Sequence, residues 1–300
     1  MDCATLADKI ARSVDTLPGQ LCVAAHYVLA NPGDVALLSM REQARRAGVQ
    51  PWTMTRLAKR FGLQGYEELR RLHGEALKEQ ALGFSGKAGL QVARQREAGG
   101  QALAAEIAAA TARQVAALSE PGTAETMLSA ASAIAKARRT YCFGLRSSWP
   151  VAEHLAYLLS FLGEKARSVE FGGMTGLDAL RFATDEDVFF VATVAPYTRA
   201  SVEAAEHAHS SGITVVALTD SPISPVATFA RHLIVIGTES PSFFHAMAPA
   251  FAAVEVLAAL VAGEGGEEAL KAIIRAERHL SELKVHLLEN TATRRQESTA

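Results

Sequence analysis

The stretch Ser39–Phe61, SMREQARRAGVQPWTMTRLAKRF, reads as two short helices around a turn. Ser39 followed three residues later by Glu42 has the spacing of a capping box, which satisfies orphan backbone donors at a helix start. Gly48 interrupts the first helix. Pro51 then stands where a first helical residue belongs, its fixed φ already suited to helix. Met54, Leu57, Ala58 and Phe61 fall at i, i+3, i+4 and i+7, one apolar face. The other face is assigned Thr53, Arg56, Lys59 and Arg60, and Gly62 stands just past the helix end. Two short helices joined at a glycine, the second basic on its free face, form the pattern of a helix-turn-helix.

Charge sharpens that reading. Residues 41–60 hold six basic side chains (Arg41, Arg45, Arg46, Arg56, Lys59, Arg60) against one acidic, Glu42. The window is thus +5 in a chain of formal charge −2, which leaves −7 outside it. A local cation patch on a mildly acidic protein is the electrostatic footprint of a module that reads a phosphate backbone. The plainer alternative is a solvated charged face on an ordinary helical hairpin. On the first reading the helix Pro51–Phe61 enters a major groove of double-stranded DNA. Thr53 and Arg56 then lie nearest base edges, Lys59 and Arg60 nearer phosphates, and Gln50 and Trp52 at the helix start against the backbone.

Three hundred residues imply two domains, and 49% hydrophobic content is ample for their cores. Aromatic content of 6% signals no base-stacking sheet of the single-strand-binding type. Cys3, Cys22 and Cys142 are too few and scattered for a zinc site or a disulfide framework, and Cys142 reads as a buried small hydrophobe. The N-terminus is polar and mixed in charge, unlike a signal peptide. The longest apolar run, 246–262, contains Pro249 and Glu255 and is short for a membrane span, so it reads as a buried helix. A cytoplasmic location without membrane contact is the expectation.

Residues 1–80 read as wholly helical. Leu21, Ala24, Ala25 and Val28 form an apolar face, Asn31-Pro32-Gly33 a turn, and Tyr66–Leu77 the start of another helix. Between Gly83 and Gly100 the periodicity dissolves, which reads as a linker. Residues 101–119 form a strong alanine-rich helix, either packed on its own domain or serving as a dimer element or rigid connector. After Pro121 the rhythm changes. Apolar and β-branched runs at 140–143, 166–169, 188–194, 214–219 and 232–236 alternate with helical segments. Five strands at that spacing imply a parallel sheet covered on both faces. The boundaries are therefore a helix-turn-helix domain at 1–80, a linker and connecting helix at 81–120, an α/β domain at 121–286, and a tail at 287–300.

In such sheets ligands bind beyond the carboxyl ends of the strands. That rule selects Arg146, Ser147 and Ser148 after the first strand, Tyr197 and Thr198 after the third, and Asp220 and Ser221 after the fourth. A helix start with two hydroxyls and Arg146 suits a phosphate or carboxylate. For Ser148 the alternative is a simple helix cap, and for Asp220 and Ser221 mere turn formation. His245, on the segment leaving the last strand, is either a pocket wall or rim packing. No G-x-G-x-x-G, Ser-His-Asp set, paired carboxylates or metal-spaced cluster stands out, so neither cofactor nor metal is expected.

Both halves resemble RpiR-type bacterial transcriptional regulators, which join a helix-turn-helix to a sugar isomerase (SIS) domain. In the first half the resemblance rests on Ala44, Ala47-Gly48-Val49, Thr53, Arg56, Phe61-Gly62-Leu63, Gly65-Tyr66 and Glu68-Leu69. In the second it rests on Phe143-Gly144 with Ser147-Ser148, on Ala204-Ala205 with Gly212, and on the stretch 219–225, TDSPISP. It implies a helical bundle followed by a five-stranded parallel-sheet domain that senses phosphosugars without turnover. It also exposes a departure. Where the family carries Ser-Gly-x-Thr after the third strand to grip phosphate, this chain has Ala195-Pro196-Tyr197-Thr198. Proline removes a backbone donor, alanine removes a hydroxyl, and tyrosine adds bulk, while Arg146 supplies a cation nearby. The expected partners are operator DNA and a small anionic sugar-derived effector, sugar phosphate or sugar acid, bound by a homodimer or homotetramer. The rival expectation is a phosphosugar isomerase with a helical appendage, with Glu153, His154 and His245 as candidate bases.

Overall fold

The computed structural model describes residues 3–81, 83–169 and 176–285, so the tail at 287–300 lies outside the described residues. The chain divides into two compact units. One runs to Gly100 and includes Ser242–Phe244; the other comprises Gln101–Pro241 and the chain from His245 onward.

The first unit is all helix: α1 (Cys3–Ser13), α2 (Gly19–Ala30), α3 (Pro32–Leu37), α4 (Met40–Ala47), α5 (Pro51–Arg60), α6 (Tyr66–Ala81) and α7 (Gly83–Ala98). Its core gathers Leu6, Ile10, Ala24, Val28, Val35, Ala44, Met54, Leu57 and Leu69, one or two from each of α1 to α6. A polar residue sits among them. Gln43 is fully buried, and its amide donates to the carbonyls of Val35 and Leu38 at 3.1 Å and to the Tyr66 hydroxyl, tying α4 to α3 and α6. The expected cap is present, with Ser39 Oγ accepting from the Glu42 N–H at 3.3 Å. Gly48 ends α4 at φ 68, a left-handed conformation that a side chain disfavours. Pro51 opens α5 as expected.

Two expectations fail in this half. Asn31-Pro32-Gly33 is the start of α3, because Pro32 occupies a first helical position where its missing N–H costs nothing. The linker at 83–100 is helix: α7 ends at Ala98 and α8 (Gly100–Ala116) follows. None of the side chains of α7 is buried, so no apolar stripe marks it. Its second half, Leu90–Ala98, is nonetheless rich in strong helix formers. The division at Gly100 places α7 with the first unit and α8 with the second, instead of a separate segment at 81–120.

The second unit continues with α9 (Pro121–Lys136), β1 (Thr140–Gly144), α10 (Trp149–Ser160), β2 (Ala166–Ser168), β3 (Val188–Ala192), α11 (Arg199–Ser210), β4 (Thr214–Thr219), β5 (His232–Val235) and α12 (Ala248–Glu282). The strands form one parallel sheet in the order β2-β1-β3-β4-β5. Every residue of β1 and β3 is buried, as expected of strands covered on both faces. Alternation then sorts them into two cores. Cys142, Phe190, Val216, Leu218 and Ile234 face α9, α10 and α12. Tyr141, Phe143, Phe189, Val191, Val215 and Ala217 face α11. The apolar helix expected at 246–262 is the first half of α12. The whole of α12 is long and apolar enough, by length and composition only, to cross a membrane. Ala250, Ala253, Val254, Leu257 and Val261 are nevertheless spent on the sheet core.

Candidate functional site

Because all strands run parallel, their carboxyl ends share one edge, with Gly144, Ala192 and Leu218 level in register. The first loop leaves that edge through Gly144, where a Cβ would collide with the Ser148 carbonyl. Only glycine lets the chain fold back so closely on its own strand end. The next residues form a single 3-10 turn, Arg146–Ser148, closed by the Ser148 N–H donating to the Leu145 carbonyl at 3.0 Å. Arg146 is held at φ 54, a left-handed backbone that costs an L-residue roughly 1–2 kcal/mol. Its side chain is exposed. Ser147 Oγ lies 2.8 Å from His245 Nε2, in hydrogen-bond contact, so two of the expected site residues are brought together. Ser148 is buried and takes the cap position of α10 without a side-chain capping bond.

The third and fourth loops are organised around a carboxylate. The Ala195 N–H donates to Asp220 Oδ2 at 3.1 Å, and Thr219 Oγ1 lies 3.4 Å from Oδ1. The Tyr197 hydroxyl bonds the same carboxylate and also meets the Thr219 and Ser221 hydroxyls. Burial first, then the charge of Asp220, raises the Tyr197 phenol well above its ordinary value, so it remains a donor at neutral pH. Ser221 Oγ accepts from the Ile223 N–H at 3.3 Å, a turn-forming role. Thr198 stands at the cap of α11 without a side-chain capping bond. Arg199 follows it, an exposed cation at the sheet edge that the sequence reading passed over.

The segment from β5 to α12 is pinned along its length. Ile236 N–H donates to the Thr219 carbonyl and Ala246 N–H to the Thr238 carbonyl, both at 2.9 Å. From α8, Gln114 Nε2 donates to the Glu239 carbonyl at 2.5 Å, and its side chain fills the space a Cβ at Gly237 would need. Gln114 was invisible to the sequence reading, since one glutamine in an alanine-rich helix carries no motif. The candidate bases do not converge. Glu153 accepts from the Ser168 hydroxyl, His154 Nε2 lies 3.2 Å from Glu255 on α12, and His245 meets Ser147.

In the first unit, α5 presents the basic face. Trp52 is 53% exposed, and the Arg56 guanidinium lies over its ring at 5.0 Å from the centroid. Lys59, Arg60 and Gln50 are exposed as expected. Thr53 is not. It is 1% exposed, with no hydrogen-bond partner for its hydroxyl among the described residues, so it cannot lie nearest a base edge. The cause is helical spacing: Thr53 precedes Leu57 by four residues and shares the inward stripe with Met54 and Ala58. Two of the six cations are also already paired. Glu42 binds Arg45 and Arg46 at 2.6 and 3.0 Å, and Arg46 reaches Asp34 at 2.9 Å. Those hydrogen bonds hold the Glu42 carboxyl down at about 2. Arg41, Arg56, Lys59 and Arg60 form no ion pair among the described residues, leaving their charge available.

Comparison with known proteins agrees with both halves. Residues 133–260 match the SIS domain family. An uncharacterized HTH-type transcriptional regulator of Caldanaerobacter subterraneus subsp. tengcongensis is 26% identical over 219 residues, 73% of this chain and 75% of that one. The sugar isomerase domain of an RpiR transcription factor from Sphaerobacter thermophilus superposes with a TM-score of 0.54 at 27% identity, over 59% of this chain and 98% of that one. The Vibrio vulnificus NanR protein, solved with ManNAc-6P, shares the fold over 93% of this chain and 98% of its own, with a TM-score of 0.51 at 22% identity. With a helical unit ahead of a five-stranded SIS domain, the chain is similar to the RpiR-type regulators.

Proposed function

We propose that α5 reads double-stranded operator DNA and that the SIS sheet edge senses an anionic sugar-derived metabolite without turning it over. One observation carries the ligand assignment. The backbone donor of the third loop, Ala195 N–H, is already taken by Asp220, so a phosphate or carboxylate there would face a fixed negative charge. The first loop has the opposite character, an exposed Arg146 beside the Ser147–His245 contact. The anionic end of the effector therefore belongs at Arg146, Ser147 and Ser148, where a guanidinium binds a phosphate or carboxylate bidentately. Its hydroxyls belong toward Tyr197, Thr198, Asp220 and Ser221. The ManNAc-6P held by NanR is a compound of this class. An isomerase would need a base aimed at the sugar, and Glu153, His154 and His245 each engage a different partner.

Assembly as a homodimer or homotetramer fits a small single-module DNA interface. On α12, Leu270 and Ile274 are exposed apolar residues available to such an interface, and light scattering at micromolar protein reads the state. Genomic footprinting of the purified protein tests the DNA reading, and its neighbouring genes name a pathway. Calorimetry over a panel of sugar phosphates, sugar acids and neutral sugars tests the ligand. Arg146→Ala is expected to lose about 1.5–3 kcal/mol of anion affinity. Equal binding of neutral sugars, or product formed from any sugar phosphate, overturns the assignment.

A further inference from the structure

The burial of Thr53 leaves Arg56 as the one exposed side chain in the middle turn of α5 that carries in-plane hydrogen-bond donors. Its position is not that of a free arginine. One turn before it, Trp52 lays an exposed indole under the guanidinium, 5.0 Å from ring centroid to Cζ. A cation over an indole face is attracted by the ring quadrupole. A guanidinium that stacks on an indole through its own face keeps its edge, with all five N–H groups, free. Bidentate recognition of a guanine O6 and N7 uses that edge. Lys59 and Arg60, in the last turn of α5, have no ring beneath them among the described residues.

We propose that Trp52 is a positioning residue for sequence reading. It holds the Arg56 guanidinium in a base-reading orientation and makes no independent contribution to DNA affinity. The inference rests on the assignment of α5 as the DNA-reading helix and deepens it. It replaces the expectation that Trp52 itself touches the DNA backbone. A stack at an exposed site accounts for a two- to five-fold effect, in the range of exposed cation–π pairs.

The test is a double-variant cycle on the full-length protein. The preferred duplex is first selected from a random pool and compared with a scrambled duplex by fluorescence anisotropy. Trp52→Ala is expected to weaken the preferred duplex about two- to five-fold and to leave the scrambled duplex and the salt slope unchanged. Trp52→Phe, which keeps a ring face, recovers part of the loss, whereas Trp52→Leu, which keeps only bulk, does not. In the Arg56→Ala background Trp52→Ala costs nothing further. Additive losses in the double variant, or equal losses on both duplexes, overturn the proposal, because Trp52 would then contact DNA on its own account. Full activity of Trp52→Leu overturns it as well, by reducing the indole to a spacer. A wild-type protein that prefers no duplex at all refutes the DNA reading beneath it, a result distinct from any of these.

Discussion

Helix α5 and the sheet edge solve opposite problems with charge. On α5 the cations Arg56, Lys59 and Arg60 stand outward on one continuous helix and form no ion pair among the described residues. At the sheet edge the polar groups come from segments as far apart as Ser147 and His245, and much of their bonding capacity is spent on one another. A single helix can advertise charge because its backbone is already satisfied internally. A site assembled from loops must first satisfy the loops. The lesson is that a free cation on a helix points to a partner directly, whereas a polar loop points to one only after its internal bonds are subtracted.

The largest effect should come from breaking the first region at its root. Leu57 is fully buried beneath the basic face of α5. Leu57→Ala should cost about 2–5 kcal/mol in the unfolding of the helical unit. Calorimetry should then show DNA binding lost while the SIS domain still melts and binds effector normally. Loss of both together would mean that the two units do not fold independently. The second region breaks at Gly144. An added methyl there meets the Ser148 carbonyl, backbone that cannot swing aside as a side chain end can. Gly144→Ala should cost about 1–3 kcal/mol of stability and should weaken effector binding while sparing DNA affinity. Unchanged effector affinity would remove the first loop from the site. The smallest effect is a pH dependence in the helical unit. His73 is 5% exposed, and burial lowers its pKa below the ordinary histidine value. Protonation therefore favours the unfolded chain. The unit should be most stable above about pH 6.5 and lose stability as the pH falls below it. Urea midpoints at pH 7 and pH 5, with and without His73→Leu, read the difference; a midpoint that ignores pH in the wild type refutes it.

Much of this architecture was legible in the chain. The turn at Gly48, the start at Pro51 and the five strands all left local marks, namely a breaker, a fixed φ or a run of β-branched residues. What stayed hidden lacked such marks. Helix α7 buries nothing and so has no stripe. Thr53 is polar yet faces inward, and residue type prevailed over spacing in the sequence reading although its four-residue offset from Leu57 was on the page. The strand-end rule found Asp220 and Tyr197 without knowing that they bind each other, because the pair forms only when the third and fourth strands lie side by side. Gln114 acts through a carbonyl 125 residues away.

The two-sided burial of the strands sets an unusual guard on their alignment. In a sheet wet on one face, a slip of one residue turns oily side chains to water, and hydration alone forbids it. Here both faces of β1 and β3 are dry, so a slipped strand would expose nothing. Volume has to do the policing. Phe189 and Phe190 fill opposite cores, while their neighbours along and across the sheet include the small Ala192 and Ala217. A displaced β3 would drive rings into spaces shaped for methyl groups and open voids where the rings had been. The same slip in β1 would put Phe143 or Leu145 where the Ser148 carbonyl admits no side chain at all. The alignment of the sheet is thus kept by shape, and the loop that carries Arg146 is aimed by the same constraint.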